Sequence, residues 1–163
     1  MKLRMVVRTA AISLMLAVGA AVTTDGAPEK VERPNIGWLA MTNPRSDEKV
    51  RDVFWRALGE FGWTEGQNVG AHYRYTEGRT ERLPELVREL VALRVAVIVT
   101  AGSPAVRAAK SVTRTTPIVV MTSGDPVGEG LVASLARPGG NVTGLTLLTP
   151  ELGGKRLECP ESR

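Results

Sequence analysis

The 163-residue chain has 21 Lys and Arg against 17 Asp and Glu, a formal net charge of +4. Three of these basic residues, Lys2, Arg4 and Arg8, lie at the very start, and the rest of the chain has 18 basic against 17 acidic residues. The remaining charges alternate in sign without forming a basic stripe, which excludes a nucleic-acid-binding protein. Cys159 is the only cysteine, which excludes an internal disulfide.

The first twenty residues have the pattern of a secretory signal peptide. A positive start precedes an apolar run from Thr9 to Val22, and small residues close it at positions 18–20. The run is short for a membrane span, which needs about 20 apolar residues, although an uncleaved N-terminal anchor is the alternative. No cysteine lies near Ala20, so no covalent membrane anchor is expected. We predict a cleaved signal over 1–20 and a periplasmic protein.

A polar leader over 21–34 precedes a regular alternation of strand and helix patterns. The run Val95–Val99 is continuously apolar and β-branched, as in a strand covered on both faces. In contrast, Val69–Tyr75 alternates between apolar and polar residues, as in an edge strand. Strands alternating with helices imply right-handed βαβ units and a parallel sheet, an α/β fold. The predicted strands are 36–40, 69–75, 95–99, 118–121 and 142–148, and the predicted helices begin near 46, 80, 103 and 130.

The first predicted helix has one continuous apolar face. Ser46 can serve as its N-cap, and the acidic residues that follow suit the positive end of the helix. Gly62 fits its C-terminal end. The apolar positions repeat at helical spacing and comprise Val50, Val53, Phe54, Ala57, Leu58 and Phe61.

Small and polar residues follow three of the buried strands. These loops are Met41–Pro44, Ala101–Pro104 and Ser123–Pro126. In open parallel sheets, ligands bind beyond the carboxyl ends of the strands. Pro104 suits the first turn of a helix, which would make Ser103 its N-cap, able to receive an anion. Asp125 can accept hydrogen bonds from an ammonium group on the same ligand, which suggests a clamp for a zwitterion.

Each of these candidates also has a purely structural interpretation. Ser103 can cap its own helix without contacting a ligand. Asp125 precedes a proline and is common in turns, and Asn43 before Pro44 is equally a turn residue. A ligand-binding role is therefore better supported for the loops as a region than for any single residue within them.

Signatures of catalysis are weak. Ser103 lies in the sequence Ala-Gly-Ser-Pro-Ala, which lacks the flanking glycines of a hydrolase nucleophile elbow. The single histidine, His72, has no second histidine with which to bind a metal. The glycines at 124, 128 and 130 are not spaced like a dinucleotide fingerprint, and no phosphate-binding Gly-Lys-Ser/Thr loop is present. We expect no enzyme, no metal and no cofactor.

Several long motifs resemble one known family. They lie at 65–69, 73–78, 82–86 and 97–105, and the most specific runs from Ser123-Gly124-Asp125-Pro126-Val127-Gly128 to Leu135–Gly144. Together these stretches, between Ile36 and Leu157, resemble the ABC transporter substrate-binding proteins, which include tryptophan- and tyrosine-binding members.

The resemblance implies the flavodoxin-like, doubly wound first lobe of a type I periplasmic binding protein over residues 35–150. Such proteins have two lobes that close over a small solute, an amino acid in some members, and present it to an ABC permease in the inner membrane. The resemblance also implies ligand contacts from the loops named above. The candidate ligand-binding residues are Asn43, Thr76, Glu77, Gly102, Ser103, Pro104, Ser123 and Asp125.

The family pattern stops near the end of the chain. Residues 151–163 begin the crossover to a second lobe but change composition at Cys159-Pro160 and then end. We therefore expect a truncated, impaired copy with its second lobe missing. The alternative from a different class is a single-lobe interaction or scaffold protein that acts as a dimer, and an enzyme of flavodoxin-like fold ranks third.

Overall fold

The chain alternates between parallel strands and helices. The computed structural model describes residues 33–122, 124–134 and 139–144. The elements in chain order are β1 (Asn35–Ala40), α1 (Pro44–Gly59), β2 (Gly70–Tyr75), a short 3₁₀ turn (Thr80–Arg82), α2 (Leu83–Ala92), β3 (Val97–Thr100), α3 (Ser103–Val112), β4 (Ile118–Val120) and β5 (Val142–Gly144). These strands form one all-parallel sheet in the order β2-β1-β3-β4-β5. The predicted doubly wound α/β fold is confirmed, with β2 at an edge.

Several predictions fall on parts of the chain outside the described residues. They are the signal over 1–20, the leader up to residue 32, Ser123, the end of the last strand beyond Gly144, and the crossover over 151–163. These remain predictions from the sequence.

The core lies on both faces of the sheet. Alternation of side chains along a strand sends Val97 and Val99 to one face and Ile98 to the other. On the first face they pack with Trp38 and with Phe54 of α1, and the opposite face is covered by α2 and α3. The apolar sequence of Val97–Val99 is thus explained, since all four residues of β3 are buried.

Helix α1 begins earlier than predicted. Asn43 is its N-cap, and the Asn43 Oδ1 atom accepts hydrogen bonds from the backbone N–H of Ser46 at 3.0 Å and from its hydroxyl at 3.2 Å. Pro44 then occupies the first turn, where its missing N–H leaves no partner unsatisfied. The prediction of Ser46 as N-cap is therefore wrong, and Asn43 has a defined structural role.

The apolar face of α1 is only partly buried. Phe54, Ala57 and Leu58 are in the core, whereas Val50 and Phe61 are 42% and 40% exposed and Val53 is 40% exposed. The buried side of the helix is instead centred on Phe54, Leu58 and Asp47. The helix packs towards the edge strand, as contacts from Arg51 and Trp55 to the tyrosines of β2 show. An apolar flank of α1, formed by Val50 and Val53 of the helix and by Phe61 just after it, is left exposed.

The predicted helix from Gly130 is wrong as far as residue 134. Residues 126–130 form turns, in which the N–H of Glu129 donates to the carbonyl of Asp125 at 3.0 Å. Gly130 has a φ of 66°, in the left-handed region, which interrupts a right-handed helix. Residues 135–136, the end of that prediction, lie outside the described residues.

The two tyrosines of β2 pack under α1 at the edge of the sheet. Burial raises the pKa of Tyr73, and its hydrogen bond to Glu65, 2.7 Å long, raises that pKa further. The Tyr73 hydroxyl also accepts a hydrogen bond from Trp55 Nε1 at 2.8 Å. Burial likewise raises the pKa of Tyr75, although the Arg51 guanidinium, which donates to its hydroxyl at 3.0 Å, opposes the shift.

These raised pKa values predict loss of stability in alkali. Below pH 10 both tyrosines are neutral in the folded and in the unfolded chain. Above pH 10 the tyrosines of the unfolded chain ionise while those of the folded chain stay neutral, so the free energy of unfolding falls with rising pH. Tyr73 and Tyr75 are the only tyrosines. The tyrosinate absorbance of the native protein should therefore increase only at pH values above the ordinary tyrosine pKa of 10.0. The urea-unfolded chain, as a control, should titrate near that value. Coincident titrations of the two states would contradict the prediction.

Candidate functional site

Loops from four strands meet at the carboxyl edge of the sheet. After β1 and β2, the N–H of Thr76 donates to the carbonyl of Ala40 at 3.0 Å, and the N–H of Glu77 donates to that of Thr42 at 3.2 Å. These two loops therefore form one half of the edge. They bring the predicted site residues Asn43, Thr76 and Glu77 to the same half.

The loops after β3 and β4 form the other half. The N–H of Met121 donates to the carbonyl of Thr100, and the N–H of Gly102 donates to that of Thr122, each at 2.8 Å. Met41 connects the two halves, because a methyl group built on Gly102 would lie only 2.6 Å from Met41 Cε. Met41 belongs to a predicted loop but was not among the predicted site residues.

Ser103 is the first residue of α3 and not its N-cap. Gly102 takes the cap position with φ 81° and ψ 143°, a conformation that is nearly exclusive to glycine. The prediction of Ser103 as N-cap is therefore wrong, whereas Pro104 does lie in the first turn. The Ser103 hydroxyl donates to Oε1 of Glu129 at 2.8 Å. The carboxylate of Glu129, 26 residues after Ser103, thus lies beside the start of α3.

Asp125 is engaged by its own loop. Its Oδ1 atom accepts a hydrogen bond from the N–H of Gly128 at 2.9 Å, and the residue is exposed. This is the turn-forming role that the sequence offered as an alternative. A ligand-binding role for Asp125 stays a prediction.

Glu129 and Arg107 are polar residues of this region that the sequence did not single out. Arg107 Nη1 lies 2.9 Å from Glu129 Oε2, so one carboxylate contacts both Ser103 and Arg107. The two α3 residues are four positions apart and so share a helix face. That spacing could have indicated that Arg107 lies near Ser103. Nothing local in the sequence, in contrast, indicates that Glu129 contacts α3.

The Thr76 side chain is fully buried, and its hydroxyl oxygen has no hydrogen-bond partner among the described residues. A buried polar group without a partner costs about 1–3 kcal/mol. Thr100, also fully buried, differs because its hydroxyl donates to the carbonyl of Leu39 at 2.8 Å. The two threonines form a natural pair for comparison.

Thr76→Val should leave the free energy of unfolding unchanged or raise it by up to about 1 kcal/mol, because valine removes an unpartnered hydroxyl at nearly constant volume. Thr100→Val is the matched control, and it should lower that free energy by about 1 kcal/mol, since it removes a hydrogen bond. Urea denaturation measures both. Equal losses in the two variants would show that the Thr76 hydroxyl is satisfied in the folded protein.

Within 33–122, 124–134 and 139–144, no group of three or more His, Cys, Asp or Glu residues could hold a metal ion. Over the same ranges, no helix combines the length and apolar character needed to cross a membrane.

An open, doubly wound sheet with small and polar loop residues at its carboxyl edge is the architecture of an α/β ligand-binding lobe. The sequence model for ABC transporter substrate binding proteins matches residues 36–152. The chain belongs to this family.

Individual relatives agree with that assignment. A tyrosine-binding protein of Clostridioides difficile strain R20291 is 30% identical over 121 residues, which are 74% of this chain and 34% of the relative. A crystal structure of a conserved domain protein from Vibrio cholerae is 29% identical with a TM-score of 0.68, covering 78% of this chain and 43% of the other. An ABC domain from Streptococcus pneumoniae in complex with L-Trp is 29% identical with a TM-score of 0.61, covering 71% and 39%. The chain therefore spans less than half the length of each.

Proposed function

We propose that this chain supplies one wall of a binding site for a small solute, at the carboxyl edge of its sheet. The observation that carries the proposal is the meeting of four loops there. The buried Thr76 hydroxyl, which has no hydrogen-bond partner within the described part of the chain, lies in one half, and the start of α3 lies in the other. The proposed contacts are the eight residues named from the sequence: Asn43, Thr76, Glu77, Gly102, Ser103, Pro104, Ser123 and Asp125. No chemistry is required of them, since binding alone serves an importer.

The proposed ligand is an aromatic amino acid. Two relatives support this choice, one described as tyrosine-binding and one solved with L-Trp. The opposite wall of the site would come from the part of the relatives' length that this chain does not cover. With one wall only, we expect much weaker binding than in a complete two-lobe receptor, because fewer contacts offset the loss of ligand freedom.

The proposed setting is the periplasm, with delivery of the solute to an ABC permease of the inner membrane. Export would depend on the signal pattern over 1–20. We propose no enzymatic role. Whether the signal is cleaved can be read from the N-terminal sequence of the mature protein. An N-terminus that still begins at Met1 would contradict export by a cleaved signal.

The ligand proposal is tested by titrating L-tryptophan and L-tyrosine into the labelled chain and following backbone amide signals by NMR. Weak, saturable shifts should concentrate at Thr76, Glu77 and Gly102, with L-lysine as a control ligand that causes much smaller shifts. Thr76→Val, which should fold normally, should reduce the tryptophan shifts. Shifts scattered over both sheet ends, or none at all, would refute an amino-acid site at this edge.

A second candidate is an interaction or scaffold protein that acts as a dimer. The observation that favours it is the exposed apolar flank of α1, since exposed apolar patches often mark protein contacts. Light scattering on the purified chain distinguishes the two candidates. A stable dimer that Val53→Glu converts to a monomer would support the scaffold role, and a monomeric wild-type chain would exclude it.

A further inference from the structure

We infer that Glu129 is a built-in competitor for the carboxylate of the ligand and thereby sets the affinity of this lobe for carboxylate-bearing solutes. The inference rests on the proposed function, because it assigns regulation to the same site. Its basis is the position of the Glu129 carboxylate, which already lies where the sequence predicted that a ligand anion would bind, beside the start of α3.

The carboxylate is held from two directions. Oε1 accepts a hydrogen bond from the Ser103 hydroxyl at 2.8 Å, and Oε2 pairs with Arg107 Nη1 at 2.9 Å. A methyl group built on Gly124 would lie 3.5 Å from Oε1, so the loop after β4 also lies close. A ligand carboxylate arriving at Ser103 would therefore meet a negative charge that is already in contact with the same hydroxyl.

The contact is suited to displacement because it is neither deeply buried nor part of the core. The side chains of Arg107 and Glu129 are 55% and 31% exposed, and pairs this exposed are weak. Strong, buried pairing would instead lock the carboxylate in place. The cost of moving Glu129 away is thus small enough for a ligand carboxylate to offset.

The backbone around Glu129 is held on both sides by hydrogen bonds. Leu131 is buried, and Lys110 Nζ donates to the carbonyls of Leu131 at 2.6 Å and Gly130 at 3.2 Å. On the other side, the N–H of Glu129 donates to the carbonyl of Asp125 at 3.0 Å, and the N–H of Gly130 donates to that of Val127 at 2.9 Å. Glu129 can therefore leave α3 by rotation of its partly exposed side chain, while the backbone and Leu131 stay in place.

The test compares L-tryptophan with tryptamine, which keeps the indole and the ammonium group but lacks the carboxylate. Glu129→Gln should raise the affinity of the full chain for L-tryptophan about fivefold, because a charged competitor becomes neutral, and should leave tryptamine affinity unchanged. Glu85→Gln is the matched control, since Glu85 is an exposed acid in the first turn of α2, also a ten-residue helix. It should change neither affinity.

The outcomes separate this inference from the proposed function. If L-tryptophan binds the wild-type chain but Glu129→Gln changes both ligands equally, lowers tryptophan affinity or has no effect, the inference is overturned and the proposed function stands. If no variant binds either ligand, the proposed function fails and the inference with it. Should Glu129→Gln fail to fold, Glu129→Asp supplies the same test, because its shorter carboxylate reaches Ser103 less well, and the same selective gain is expected.

Discussion

Replacing Trp38 by alanine should lower the free energy of unfolding by about 3–5 kcal/mol, the usual range for removal of a buried aromatic side chain. Trp38 is fully buried on β1 and packs edge-on against Phe54 of α1 with ring centroids 5.1 Å apart. Its indole N–H also donates to Oδ2 of the buried Asp47 at 2.6 Å. The substitution therefore creates a cavity and removes a donor from a buried carboxylate. Urea denaturation followed by circular dichroism measures the loss.

Two further variants divide this effect into its parts. Trp38→Phe retains most of the ring packing but loses the N–H, so it should cost about 1–3 kcal/mol. Trp55→Ala is the control, because Trp55 is only partly buried against the core, and it should cost less than Trp38→Ala. If Trp38→Phe were as stable as wild type, the hydrogen bond to Asp47 would contribute nothing to folding.

The second large effect is expected at Gly102. Gly102→Ala should lower the free energy of unfolding by about 1–3 kcal/mol, because alanine is strained at φ 81° and ψ 143°. It should also weaken any binding of L-tryptophan, since the peptide that starts α3 would shift. Thermal unfolding and the amide NMR titration measure the two consequences on the same sample.

The side chain of Met41 lies where the new methyl group of Gly102→Ala would go. A second substitution separates the effect of this contact from the effect of backbone strain. Met41→Ala combined with Gly102→Ala should recover little stability if the backbone is the cause. Gly59→Ala at the end of α1 is the control, since a methyl group there meets nothing within 4 Å. It should stabilise by up to about 1 kcal/mol because glycine is unfavourable in helices. Full recovery in the double variant would attribute the loss to Met41 instead.

The strands and the edge position of one of them could be predicted because each strand carries a local signal. Val95–Val99 is apolar throughout and occupies the middle of the sheet, and the alternating residues of Val69–Tyr75 form an edge. The position of the candidate site follows from the same pattern, since parallel strands place their carboxyl ends at one edge. Sequence reasoning thus placed the loops Met41–Pro44 and Ala101–Pro104 at one edge, whereas their contact with a ligand stays a prediction.

The polar contacts at that edge could not be predicted, because they join residues distant in the sequence. Nothing near Glu129 indicates that its partner is Ser103, 26 residues earlier. Helix α1 shows the same limit: periodicity predicted an apolar face but not which side of it the sheet would cover. Asp47 is buried only because Trp38 on β1 offers it an indole N–H. Contacts between distant residues determine which side chains are buried, whereas local sequence patterns determine where helices and strands form.

The parallel sheet also has a consequence for how the chain folds. Among the described strands, no two neighbours are joined by a hairpin. Strand β1 must pair with β2 through contacts such as Asn35 with Gly70, and with β3 through contacts such as Ile36 with Val97, all between residues distant in the sequence. The hydrogen bond from Thr100 to Leu39 spans 61 residues. Non-local pairing of this kind slows folding, because a long loop must close before any contact compensates for the lost chain entropy. We expect a chain that stays open during synthesis and folds late, as the export proposed above would require.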